Sequence, residues 1–244
     1  PCLEIIDIKK VSEMSHKSGA LVVVDNVFAT PILQKPIDMG ADVVMYSATK
    51  HIDGHGRVVG GAILSNKKFC DKYIQPFIKN TGPSLSPFNA WVLLKGLETL
   101  DLRINYQVNT TKKIIDYLAE HEFVSELFYP YYKKSKSYKL AKSQMQAGGN
   151  ILSFTIKCKS SLHKKKVFDL LDNFRLIKIS NNLGDNKSLI THPYTTTHHR
   201  LNEKEKRSLR ITKNLIRLSV GLEDSNDIIK DIDSSFNKVF RGKK

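Results

Sequence analysis

Cysteine is scarce and scattered. The 244 residues hold three, Cys2, Cys70 and Cys158. They form no CxxC pair and no metal-ligand spacing, which argues against a disulfide scaffold and points to a reducing, cytoplasmic setting. Long apolar runs are missing too; none approaches the ~20 residues of a membrane span, so no membrane partner is expected. The opening Pro1-Cys2-Leu3-Glu4 has neither the basic nor the apolar region of a secretory signal. It also lacks an initiator methionine, so the expectation is a fragment whose parent begins earlier. Acids are few, 24 Asp and Glu against 39 Lys and Arg, for a formal net charge of +15. The excess is mostly lysine. Its clusters, Lys133-Lys134 and His163 to Lys166, are not interleaved with aromatics, so nucleic acid is not an expected partner. A basic surface equally draws anionic metabolites.

What is present is enough apolar material, 41%, for one large domain or two smaller ones. Residues 1–101 alternate between helix-like and strand-like pieces. A helix is expected from Ile5 to Lys17, closed by Gly19. Leu21–Val24, Val43–Tyr46 and Gly60–Leu64 read as short buried strands, which argues for an α/β domain with parallel strands. Ser86-Pro87 opens a helix whose apolar positions Leu93, Leu97, Leu100, Ile104, Val108 and Ile115 carry it toward Glu120. Residues 102–244 read as a second, smaller α/β domain. Its strands are expected at 150–157, 176–180 and 215–220, and its helices at 164–173 and 224–240. The polar, aromatic run 129–142 is expected to be a loop or a short irregular helix.

Two of the early strands deliver polar residues at their ends, Asp25-Asn26 after the first and Ser47-Ala48-Thr49-Lys50-His51 after the second. In parallel sheets, ligands sit beyond the carboxyl ends of the strands. A lone lysine after a strand is ordinarily a surface charge, and a lone aspartate a turn cap. Together they are what pyridoxal 5'-phosphate (PLP) requires: an amine to tie the aldehyde, and a carboxylate to keep the pyridine nitrogen protonated. Gly54, Gly56, Gly60 and Gly61 follow the lysine and suit a loop that approaches a ligand closely. His192, His198 and His199 match no common zinc spacing; hydrogen bonding is the expected role and no metal is expected. His51 and His55 are expected to flank the cofactor loop without being ligands.

The run "VVVDNVFATPILQKPIDMGADVVMYSATKHIDGHGRVVGG" resembles the Cys/Met-metabolism group of PLP enzymes, the cystathionine γ-synthase-like branch of fold type I. "GPSLSPFNAWVLLKGLETLDLR" and "LIRLSVGLED" extend the resemblance over essentially the whole chain. The runs "HIDGHGRVVGG" and "NLGDNKSLITHPYTTTHHRL" look most like the O-succinylhomoserine sulfhydrylase subgroup. Cystathionine synthases and lyases typically carry serine where this chain has Asn182.

The resemblance implies that Lys50 is the Schiff-base lysine and Asp25 the partner of the ring nitrogen. It implies phosphate-binding hydroxyls at Ser47 and Thr49, a grip on the substrate carboxylate by Arg217, and substrate-side positions at Asn182 and Thr197. It implies the fold type I architecture, with 1–101 the end of the PLP-binding domain and 102–244 the small domain, and a homotetramer with shared active sites. The implied activity is γ-replacement on acylated homoserine with sulfide. Cystathionine γ-synthase or γ-lyase chemistry is the alternative within the family. Outside it, the alternative is a non-catalytic fragment, because the family's N-terminal phosphate loop, stacking aromatic and arm have no counterpart here.

Overall fold

The computed structural model describes residues 1–242. Asp7 caps the first helix, α1 (Ile8–Lys17), by accepting a hydrogen bond from the Lys10 amide at 2.9 Å, and Gly19 follows it at φ +70°. Strand β1 (Val23–Asp25) pairs in parallel with β2 (Val43–Ser47), and Asp25 lies opposite Met45. Between them lie a short helix, α2 (Thr30–Leu33), and a 3₁₀ turn, Pro36–Met39. Strand β3 (Gly61–Ser65) completes this sheet in the order β1-β2-β3.

The third strand departs from the all-parallel expectation. It runs antiparallel to β2, with Ser47 opposite Gly61. Residues 48–60 contain no helix to carry the chain back across the sheet, so the strand can only return alongside its predecessor. On one sheet face the cross-strand neighbours Met45 and Ile63, with Val23, are exposed.

Next come α3 (Lys67–Phe69) and α4 (Gln75–Thr81), joined by a π turn. The single helix expected from 87 to 120 is two, α5 (Pro87–Glu98) and α6 (Leu100–Glu120), broken at Thr99 with φ −112° and ψ 5°. The cause is tertiary. The Gly96 carbonyl accepts from the Arg103 guanidinium at 2.7 Å, and a methyl at Gly96 would sit 2.1 Å from the Ile52 carbonyl oxygen. The helix bends where it receives the loop that follows β2.

A second sheet holds β4 (Val124–Phe128), β5 (Ile151–Ile156), β6 (Lys178–Ile179), β7 (Leu189–Thr191) and β8 (Leu215–Ser219), in the order β4-β5-β8-β7-β6. Only β6 and β7 pair in parallel. Helix α7 (Tyr138–Gln144) occupies part of the run expected as loop or irregular helix. Three further helices, α8 (His163–Asn173), α9 (Glu203–Ser208) and α10 (Ser225–Phe236), complete the fold. The expected last helix continues past Phe236 only as a π turn, Asn237–Arg241. The main core packs α6, α8 and α10 against β5 and β8 through Leu118, Phe154, Leu170, Leu218 and Phe236. No helix of the described residues is long and apolar enough to cross a membrane.

Candidate active site

Asp25 ends β1 and Ser47 ends its parallel neighbour β2, so their side chains leave the sheet at the same edge. Lys50 follows in a tight turn in which the Lys50 amide donates to the Ser47 carbonyl at 3.1 Å and the Asp53 amide to the Ala48 carbonyl at 2.9 Å. Asp25, Ser47 and Lys50 line one cavity of about 540 Å³, together with apolar side chains such as Ile8, Val24 and Leu183. That volume suits a small aromatic cofactor.

Lys50 is half-buried, and its amine donates to Asn182 Oδ1 at 2.5 Å. Burial lowers its pKa below that of an ordinary lysine, and the Arg217 charge lowers it further. Arg217, buried on β8, donates through Nη2 to the carbonyls of Asn181 and Asn182 at 2.9 and 3.1 Å. Burial pushes its pKa down to about 10. Asn182 therefore joins the two cations, its side chain on Lys50 and its main chain on Arg217.

The remaining expected site residues lie elsewhere. The Thr49 hydroxyl accepts from the Gly60 amide at 3.1 Å and donates to the Gly60 carbonyl at 3.3 Å, closing the base of the loop toward β3 rather than facing the cavity. Thr197 is exposed, with its hydroxyl 2.8 Å from His198 Nδ1. Buried His192 is held between the Thr195 hydroxyl at 2.9 Å and the Lys213 carbonyl at 3.1 Å. His55 sits 2.5 Å from Asn186 Nδ2.

Sequence reasoning missed two supports. Asn26 is buried beside Asp25. Its amide nitrogen lies 2.9–3.0 Å from the Thr30 and Gln34 carbonyls and the Tyr46 hydroxyl, while its oxygen accepts from Gln34 Nε2 at 2.8 Å. This hub shapes the turn that presents Asp25 and holds Thr30 at φ +62°, an uncommon conformation for a β-branched residue. Its adjacency to Asp25 was the available signal. The second support is Arg103, whose guanidinium donates to the Thr99 hydroxyl and to the carbonyls of His51, Ile52 and Gly96. It clamps the two residues that follow Lys50, and no local pattern marks it.

The family description "Cys/Met metabolism PLP-dependent enzyme" matches residues 1–237. The chain is 47% identical over 237 residues to O-succinylhomoserine sulfhydrylase of Mycobacterium tuberculosis, covering 97% of this chain and 58% of that protein. It is 36% identical over 241 residues to L-methionine gamma-lyase of Fusobacterium nucleatum subsp. polymorphum, covering 98% and 60%. Among solved structures it matches cystathionine gamma synthase from Xanthomonas oryzae pv. oryzae in complex with cystathionine, with TM-score 0.93, 33% identity, and coverage of 98% of this chain and 61% of that one. The chain thus spans about three fifths of the length of these relatives. With the family matched along nearly its whole length, and an α/β architecture shared with fold type I relatives, the chain belongs to the Cys/Met metabolism PLP-dependent enzymes.

Proposed function

We propose that the protein carrying this chain uses PLP to convert O-succinylhomoserine and sulfide into homocysteine and succinate. The observation that carries this reading is the half-buried Lys50 amine, opening on the same cavity as Asp25 and tied through Asn182 to Arg217. The similarity to an O-succinylhomoserine sulfhydrylase at 47% identity supports the choice of substrate.

The donor set suits the cofactor: an amine of lowered pKa, a carboxylate and a hydroxyl share one pocket with apolar walls. When bound, PLP supplies an electron sink for charge developing on the substrate's carbon atoms. In this reading Lys50 would hold the cofactor and then take a proton from Cα and another from Cβ. The γ-acyloxy group would leave with the Cγ–O electron pair as succinate, sulfide would add at Cγ, and one proton would return to Cβ and one to Cα. The lowered pKa of Lys50 places it nearer working pH for that task. Asp25 would pair with the ring nitrogen and Ser47 would donate to the phosphate, while Thr49 keeps the loop closed. Arg217 binds the substrate α-carboxylate, a match of planar fork to carboxylate. Asn182 holds the resting Lys50 amine. Residues 1–101 serve as the end of the cofactor domain and 102–244 as the small domain, in a homotetramer.

The test is Lys50→Ala in the full chain encoded by the gene, with PLP and substrate added. The visible absorption of lysine-bound cofactor and the sulfide-dependent release of succinate are both expected to vanish. Survival of both would refute the assignment. Running the parent enzyme with sulfide, with cysteine and with no nucleophile ranks sulfhydrylase against cystathionine synthase and lyase; sulfide should give the highest turnover.

A further inference from the structure

His51 follows Lys50 directly, yet its side chain points the other way, into the protein, where it is 2% exposed. Its Nε2 lies 2.8 Å from Asn150 Oδ1. The Asn150 amide nitrogen donates to the Val220 carbonyl at 2.9 Å, which leaves its oxygen as the acceptor, so the imidazole carries its proton on Nε2. Nδ1 is buried without a hydrogen bond of good geometry among the described residues, although the Val27 main chain lies close enough to the ring to favour its protonation. On the other side, Gly184 is pressed against the ring. A methyl at Gly184 would sit 2.7 Å from His51 Cγ and 2.8 Å from both Nδ1 and the His51 main-chain nitrogen, and Gly184 is held at φ +72°. Gly184 lies two residues past Asn182, whose oxygen accepts from Lys50.

A closed circuit results. Lys50 and His51 are covalent neighbours on the first sheet's loop, and Asn182 and Gly184 are near neighbours on the second sheet's loop. Lys50 meets Asn182 while His51 meets Gly184. Arg103 fixes the His51 carbonyl at 2.8 Å, and Asn150 fixes the ring. The Gly184 amide donates to the Ser219 hydroxyl at 2.9 Å. A buried histidine with one nitrogen short of a well-formed hydrogen bond carries a cost, and what it supplies here is a ring packed on Gly184.

We propose that His51 is a positioning residue: its ring, anchored on Asn150, seats Gly184 and thereby sets the spacing between the Lys50 amine and Asn182. The role rests on the reading of Lys50 as the cofactor lysine, but the contact exists without cofactor and is measurable without it. The charged groups closest to His51 are Arg103 and Lys50, both cationic, and they oppose its protonation, as burial does. The ring therefore acts as a neutral spacer.

The experiment is a double-mutant cycle on the cofactor-free full chain, read by the pH midpoint for acetic anhydride labelling of Lys50 in peptide mass spectra. Asn182→Ala removes the acceptor of a charged amine, so it is expected to lower the midpoint by about one pH unit. In a His51→Ala background, the same Asn182→Ala change should move the midpoint by less than half as much, because the contact is already lost. His51→Gln keeps an N–H for Asn150 without the ring that seats Gly184. It is expected to behave like His51→Ala and replaces it if the alanine protein does not fold. Melting temperatures taken in parallel separate a loss of placement from a loss of fold. An Asn182→Ala shift of equal size in both backgrounds overturns the proposal, as does the absence of any Asn182→Ala shift in the parent. Neither result touches the turnover of the loaded enzyme, so this inference and the proposed function fail separately.

Discussion

Replacing Arg103 with methionine removes a buried cation that makes four hydrogen bonds and leaves a side chain of similar reach. Three of the lost bonds go to main-chain carbonyls, at 2.8 Å to His51, 2.7 Å to Gly96 and 3.3 Å to Ile52. The two short ones dominate. A buried acceptor left unpaired costs ~1–3 kcal/mol, so these two together cost about 4 kcal/mol. Methionine escapes the desolvation penalty that arginine carries, which returns part of that loss. A net destabilisation of about 3 kcal/mol is expected, because breaking a buried polar arrangement from one side leaves the other side stranded. For a domain of this size that amounts to a fall of ~6–12 °C in melting temperature. The assay is thermal and denaturant unfolding of the full chain, followed by circular dichroism. Arg103→Lys, with one ammonium in place of the fork, should lie between parent and methionine. The clamp argument is refuted if the methionine protein melts within about 2 °C of the parent.

Further expectations concern His51 and Asn26. Burial chiefly, and the Arg103 and Lys50 charges with it, lower the His51 pKa from 6.5 to about 4. The unfolded chain therefore binds a proton between those values while the native state does not, so His51 subtracts stability as pH falls from 6.5 toward 4. His51→Gln should flatten the dependence of the urea-derived unfolding free energy on pH across that window, by an amount on the order of 3 kcal/mol; an unchanged slope counts against a buried neutral ring. Asn26→Ala strips the hub beside Asp25, leaves the Gln34 carbonyl unpaired, takes one of two donors from the Thr30 carbonyl and removes support for the strained Thr30 backbone. A loss of ~2–3 kcal/mol and faster PLP release are expected; a change under 0.5 kcal/mol would dismiss the hub.

Much of the three-stranded sheet was readable from the chain because the relevant physics is local. Val22 to Asp25 and Val43 to Ser47 are apolar runs ending in polar residues, and a parallel pair of that kind places both tips on one edge. What the pattern could not supply depends on contacts distant in sequence. The break at Thr99 exists because Gly96 and Arg103 receive the carbonyls of residues 51 and 52, a tertiary demand that overrides a continuous helical stripe. The reversal of β3 follows from what residues 48–60 do not form. Strands β4 and β7 went unrecognised, and β7 has only three residues, Leu189–Thr191, too few for a period to emerge. The bond from Lys50 to Asn182 joins residues 132 apart in sequence. Resemblance placed Asn182 near the substrate; only the coordinates put its oxygen on the lysine.

Among all the lysines of a strongly basic chain, Lys50 is the one proposed to take the cofactor. Incubating the full chain with PLP, reducing with borohydride and mapping the pyridoxyl group by peptide mass spectrometry tests that assignment directly. A single stoichiometric label is expected on the peptide containing Lys50, lost in Lys50→Ala and weakened in Asp25→Ala. A label spread over surface lysines, or concentrated on a lysine away from the Asp25 cavity, would contradict the assignment.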